Sequence, residues 1–197
     1  MTRIGIVIYD GFDELDAVGP YEVLDIAADL GADLTSRLVT LDARERVTAS
    51  HGLTVEPQGR LRAAESDDAP DLLVVPGGGW NDRAASGAWA EAERGVIPDA
   101  VATHHGAGAT VTSVCTGAML LARAGLLDGR PATTHAGARE DLRAAGADVR
   151  DERVVDDGDV VTAGGITSGL DLALHLVERV ADARTADRVA EQMEYRR

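Results

Sequence analysis

The run VTSVCTGAMLLARAGLL, residues 111–127, holds the only cysteine of the chain where a β-branched strand turns into a helix. Residues 111–114 have strand character, and residues 116–124 form an alanine- and leucine-rich helical run whose turn is eased by Gly117. A thiol at that junction meets unpaired backbone N–H groups and the positive end of the helix dipole, both of which favour the nucleophilic thiolate. Position alone weighs a nucleophile and a packed structural cysteine equally, because a free cysteine also behaves as a small hydrophobe.

The elements that would hold Cys115 alternate between strand and helix from end to end, the pattern of an α/β protein with a mostly parallel, doubly wound sheet flanked by helices. Strands are expected over residues 3–9, 34–41, 71–79, 111–114 and 132–135 (ATTH). Two further extended segments, 149–155 and 160–163, flank the Asp-Asp-Gly turn at 156–158. Short pieces at 47–50 and 53–57 read as a hairpin around His51-Gly52. Helices are expected over 16–30, with Pro20 in the first turn, and over 89–94, 98–106, 116–124, 138–145, 167–180 and 184–195. Functional groups collect at the carboxyl ends of parallel strands, so three loops should converge: 10–16, the Pro76-Gly77-Gly78-Gly79 turn, and the Cys115-Thr116-Gly117 elbow.

With 197 residues the chain, 1–197, reads as one domain. Its 34 acidic residues outnumber 19 basic ones, all of them arginine, for a net charge of -15. That balance argues against nucleic acid and against an anionic membrane surface as partners. No apolar run is long enough to span a bilayer and no signal sequence opens the chain, so the expected location is cytoplasmic. One cysteine allows no intrachain disulfide. An acidic, lysine-free surface suits a salt-rich cytoplasm, where ions screen the self-repulsion, while a GC-rich genome equally explains the missing lysine. Stabilisation against unfolding by molar salt distinguishes the two.

Four segments, GIVIYDGFDELDAVGPYEVL at 5–24, LLVVPGGG at 72–79, VTSVCTGAMLLARAGLLDGRPATTH at 111–135 and AGGITSGLDLALHLVERV at 163–180, resemble in order the ThiJ/PfpI superfamily, also called class-I glutamine-amidotransferase-like. LDAVGP before the first helix and CTG at the elbow look most like its isocyanide hydratase branch. They also resemble ligand-binding domains of AraC-type regulators, a reading disfavoured because no DNA-binding domain follows Arg197.

The resemblance implies a flavodoxin-like fold, a homodimer, and a cysteine nucleophile elbow that needs no cofactor and no metal. It makes Cys115 the nucleophile and Asp16 its acidic partner; from residue type alone Asp16 could instead be a helix cap. Backbone N–H groups of Gly78 and Thr116 would form an oxyanion-hole-like pocket, and His135 would tune the thiol or relay a proton, with a purely structural histidine equally open. Protease-like members carry His directly after the cysteine; Thr116 stands there, which speaks against peptidase activity. Ala136 follows His135 where hydratase-type relatives often have an aromatic, so the pocket should differ in shape. Trp80 is a candidate pocket wall, Asp13 and Glu14 read as solvated loop charges, and His104-His105 do not share a helix face that could bind metal. The leading expectation is hydration of a small isocyanide to a formamide. The alternatives are glyoxalase- or deglycase-like chemistry on small dicarbonyls and a redox or ligand sensor working through Cys115 oxidation.

Overall fold

The structure, a computed structural model, describes residues 1–196. In chain order its elements are β1 (Thr2–Val7), α1 (Glu14–Asp29), β2 (Leu34–Thr40), β3 (Val47–Thr48), β4 (Thr54–Val55), β5 (Gly59–Arg60), β6 (Leu72–Val75), α2 (Ala88–Arg94), α3 (Val96–Gly106), β7 (Thr110–Ser113) and α4 (Gly117–Arg123). They continue as β8 (Pro131–Ala132), a 3-10 turn (Ala136–Ala138), α5 (Arg139–Ala144), β9 (Asp148–Val149), β10 (Val154–Asp156), β11 (Val160–Ala163), α6 (Ser168–Val180) and α7 (Ala183–Gln192).

Seven strands form one sheet in the order β10-β11-β7-β6-β1-β2-β5, parallel throughout except for β10. The central strand β6 is the apolar run LLVV with every residue buried, as a strand covered on both faces must be. α1, α6 and α7 pack as one helix group, and α2, α3 and α4 as another, giving the flavodoxin-like α/β layering. Chain order reverses beside β1, which pairs with β2 on one side and β6 on the other. The crevice beyond the carboxyl ends of β1, β6 and β7 is the place such sheets reserve for ligands.

Two local expectations are corrected. α1 starts at Glu14, so Pro20 lies inside the helix instead of in its first turn. Lacking an N–H, Pro20 leaves the Asp16 carbonyl without its usual helical donor. The ATTH strand is confined to β8, which pairs with β9 outside the main sheet. The cause is bonding to side chains in place of a strand ladder: the Thr133 backbone N–H donates to Thr162 Oγ1 at 2.8 Å, and the Thr134 hydroxyl donates to the Cys115 carbonyl at 2.8 Å.

Candidate active site

Cys115 joins β7 to α4 with φ of 56°, a left-handed conformation that costs an L-residue free energy and that clusters at functional positions. Neighbouring segments fix the bend. The Cys115 N–H donates to the carbonyls of Ala163 (3.1 Å) and Gly164 (2.9 Å), and Thr134 holds its carbonyl. The elbow must also lie flat against the glycine turn, where a Cβ on Gly77 would come within 2.5 Å of the Thr116 nitrogen. Cys115 is left 5% exposed.

Burial comes first, and the Asp16 charge second, in pushing the thiol up to about 12. Two backbone N–H groups act in the opposite direction by hydrogen-bonding the sulfur, those of Ile166 and Thr116. The helix-terminus effect expected from sequence is therefore outweighed in the resting site. α4 is only seven residues long, and desolvation dominates.

Asp16 is fully buried. Its Oδ2 accepts from the Gly77 N–H at 3.0 Å, whereas the buried Oδ1 meets no hydrogen-bond partner of acceptable geometry. Burial, followed by the Asp13 charge, raises its carboxyl well above the ordinary 3.8; the Gly77 N–H and the Cys115 side chain pull the other way. Two buried acids side by side do not both ionise readily, so the pair titrates as one unit. A protonated Asp16 removes its negative charge from beside the sulfur and offers a donor to a thiolate. The helix-cap alternative for Asp16 does not apply, because the N-cap of α1 is Asp13.

Asp13 and Glu14 are not the free loop charges that the sequence suggests. Asp13 is half-buried and lines the same cleft as Cys115, and burial raises its carboxyl. Glu14 fastens the β3–β4 hairpin to the start of α1. Its oxygens accept from the His51 N–H (2.7 Å) and the Ser50 hydroxyl (3.1 Å), and it pairs with His51 Nδ1 at 2.7 Å. Burial opposes ionisation of Glu14, but these bonds together hold it at about 2. Asp13, Glu14 and His51 bring their ligand atoms within 4.8 Å of one another, yet Glu14 and His51 already bond each other.

The glycine turn contributes differently from expectation. The Gly78 N–H donates to Thr116 Oγ1 at 2.9 Å, tying the turn to the elbow, so the amides that face the sulfur are Thr116 and Ile166 in place of Gly78 and Thr116. His135 is half-buried on the cleft wall. Its Nδ1 accepts from the Gly137 N–H at 3.0 Å and lies 3.3 Å from Asn81 Nδ2, which assigns the ring proton of the neutral form to Nε2. Trp80 does form a wall, held by its Nε1–H donating to Asp141 at 2.7 Å and by an edge-on contact with Trp89, centroids 5.0 Å apart.

These groups enclose a cleft of about 270 Å³ that brings together Asp13, Gly78, Trp80, Cys115, Thr116 and His135, with Asn81, Asp82 and Ile166 at the same opening. The sequence singles out neither Ile166 nor Asn81. Ile166 lies 51 residues from the cysteine; its only local signals are the preceding glycine pair and a positive φ of 39° that a sequence does not display.

A doubly wound sheet with a strained cysteine elbow, a buried carboxyl and a glycine turn at its carboxyl edge defines a class, and the chain belongs to the DJ-1/PfpI family, whose model matches residues 2–179. An isonitrile hydratase of Pseudomonas putida is 36% identical over 195 residues, spanning 98% of this chain and 78% of that protein. A deglycase of Pyrococcus abyssi is 30% identical over 161 residues, 82% of this chain and 89% of its own length. The crystal structure of a ThiJ/PfpI family protein from Pseudomonas syringae superposes with a TM-score of 0.85 at 28% identity, covering 100% of this chain and 76% of that one. No helix among the described residues is long and apolar enough to cross a membrane.

Proposed function

We propose that this protein is a cofactor-free, cysteine-dependent enzyme that hydrates small isocyanides to N-substituted formamides. The observation that carries the reading is the pairing of Cys115, held by the Thr116 and Ile166 amides, with the buried carboxyl of Asp16. The likeness to the Pseudomonas putida isonitrile hydratase supports it. The Cys115 sulfur attacks the terminal carbon of R–N≡C, and the thiol proton reaches that carbon through Asp16, giving a thioimidate. Water then adds to the same carbon and the C–S bond breaks. One water proton stays on nitrogen, the other returns to sulfur, and the formamide leaves.

Incubation of pure protein with an alkyl isocyanide should yield the formamide, with a trapped mass increase on Cys115. No turnover of any isocyanide, with wild type and Cys115→Ser alike, contradicts the reading. A second reading, deglycase-like chemistry on small dicarbonyls, draws on the Pyrococcus abyssi relative and on His135, which faces the same cleft as Cys115 and could serve as a base. Consumption of methylglyoxal without isocyanide turnover favours it. Peroxide giving a stable oxyacid on Cys115, without any turnover, favours sensing instead.

The working unit in this proposal is a homodimer. Leu15, Leu53 and Ile166 remain exposed (37%, 46% and 39%) around the α1 end of the site, as a partner-covered rim would. Sedimentation at micromolar concentration tests it, and a monomer overturns it.

A further inference from the structure

Among the described residues, those lining the opening to Cys115 include no fixed positive charge. Among its described lining residues are two carboxylates, Asp13 and Asp82, with Asn81 and His135 beside them, and neither arginine nor lysine. The arginines of the adjoining cavity, which shares His135 and Ile166 with the cleft, are paired with acids, Arg139 with Asp151 at 2.6 Å and Arg153 with Asp171 at 2.5 Å, and Arg83 stacks over the Trp89 ring at 4.9 Å. Asp13 acts electrostatically on both reacting groups, raising the carboxyl of Asp16 and the thiol of Cys115. The whole chain adds a net charge of -15, so its long-range field has the same sign as the cleft.

We infer that the cleft selects electrophiles whose side arm bears a positive charge or hydrogen-bond donors and rejects carboxylate- or phosphate-bearing ones, with Asp13 and Asp82 as the selecting residues. This deepens the reading of the site as a reactive-cysteine centre by naming the class of substrate it takes. The physical argument has two parts. An anionic side arm entering the cleft meets like charges with no lining cation to offset them. A cationic side arm beside Asp13 also offsets the carboxylate that disfavours charge on sulfur, so the right substrate eases thiolate formation as it binds. Selection should therefore reach the chemical step as well as binding.

The test measures modification rates of Cys115 by a matched pair of methanethiosulfonates, one with a trimethylammonium arm and one with a sulfonate arm. The thiolate displaces methanesulfinate and gains a disulfide-linked arm, so the readout needs no catalytic turnover. Each rate is divided by that of the same reagent with a small free thiol, because the arms also change intrinsic reactivity; on that scale wild type should favour the cation by about tenfold or more, corresponding to about 1.4 kcal/mol. In Asp13→Asn/Asp82→Asn the ratio should fall severalfold. The control Asp29→Asn/Asp67→Asn, with the same net charge change at exposed positions by the opposite, amino-terminal edge of the sheet, should keep it. Equal normalised rates in wild type, or a ratio that falls as far in the control as in the cleft variant, overturn the inference.

A parallel series of neutral, amino-bearing and carboxy-bearing isocyanides separates this inference from the hydratase reading. A charge ratio without isocyanide turnover refutes the hydratase and leaves selection standing. Turnover with a flat ratio does the reverse.

Discussion

Asp16 and Glu14 stand two residues apart in the first turn of α1, and the surroundings of the helix end drive them in opposite directions. Residues two apart on a helix face different sides. Asp16 is turned into the protein, has one N–H donor for its two oxygens, and holds its proton far above the usual range. Glu14 is turned toward the β3–β4 hairpin, is bonded by His51 and Ser50, and stays ionised down to about 2. Burial with few donors keeps a proton available for chemistry, whereas several donors at the surface convert a carboxylate into a structural fastener.

The largest effect that tests this contrast is on activity. Cys115→Ser should abolish isocyanide turnover, and Asp16→Asn should lower kcat by about 10²–10⁴-fold, the range of a lost general acid–base group. Glu14→Gln, on the other side of the same turn, should leave kcat within a few-fold. If both carboxyl variants lose activity equally, proximity to α1 explains the loss and the contrast collapses.

Stability should move the opposite way. Glu14→Gln loses charge-assisted bonds to the hairpin and should cost about 1–3 kcal/mol in urea unfolding at neutral pH. Asp16→Asn should leave stability unchanged or raise it. A carboxyl whose folded pKa is raised binds a proton that the unfolded chain has released, so it loses stability for the fold as pH climbs above 3.8. Glu14 has the reverse linkage: its contribution is complete above 4.5 and disappears as pH falls from there through about 2. Unfolding midpoints across that acid range should therefore differ less between wild type and Glu14→Gln at each lower pH.

A smaller effect, about 1 kcal/mol, is expected of Thr116→Val, which deletes the hydroxyl that accepts from Gly78 while leaving the elbow glycines in place. The smallest belongs to His51, which the Glu14 hydrogen bond raises above its ordinary 6.5. Its support for the hairpin is complete below 6.5 and is lost as pH rises through the raised value, and His51→Gln should flatten that portion of the stability profile.

How far the sequence carries these conclusions depends on range. The Cys115 elbow, the strand order's parallel character and the glycine turn are legible because each rests on a contiguous run: β-branched residues before a small-residue helix, or LLVV before three glycines. Asp16 is legible only through the family pattern; its burial and its orphan Oδ1 depend on packing against Gly77 and Cys115, 61 and 99 residues away. The amide of Ile166 is not legible in the sequence because a backbone donor has no sequence signature. The ATTH run departs from expectation for a related reason: threonine favours strands, but here the Thr134 hydroxyl donates to the elbow carbonyl and the Thr133 N–H donates to the Thr162 hydroxyl, which local propensity does not register. In the sequence Asp13 and Glu14 look solvated because the hairpin that covers them lies some 37 residues on.

The measurement that addresses the central contrast most directly is an infrared titration of the carboxylic-acid C=O stretch in wild type, Asp16→Asn and Glu14→Gln. The account predicts that the last carboxylic acid to ionise as pH is raised belongs to Asp16, so its band is missing from Asp16→Asn and intact in Glu14→Gln. A titration in which Asp16→Asn leaves that last band in place contradicts it.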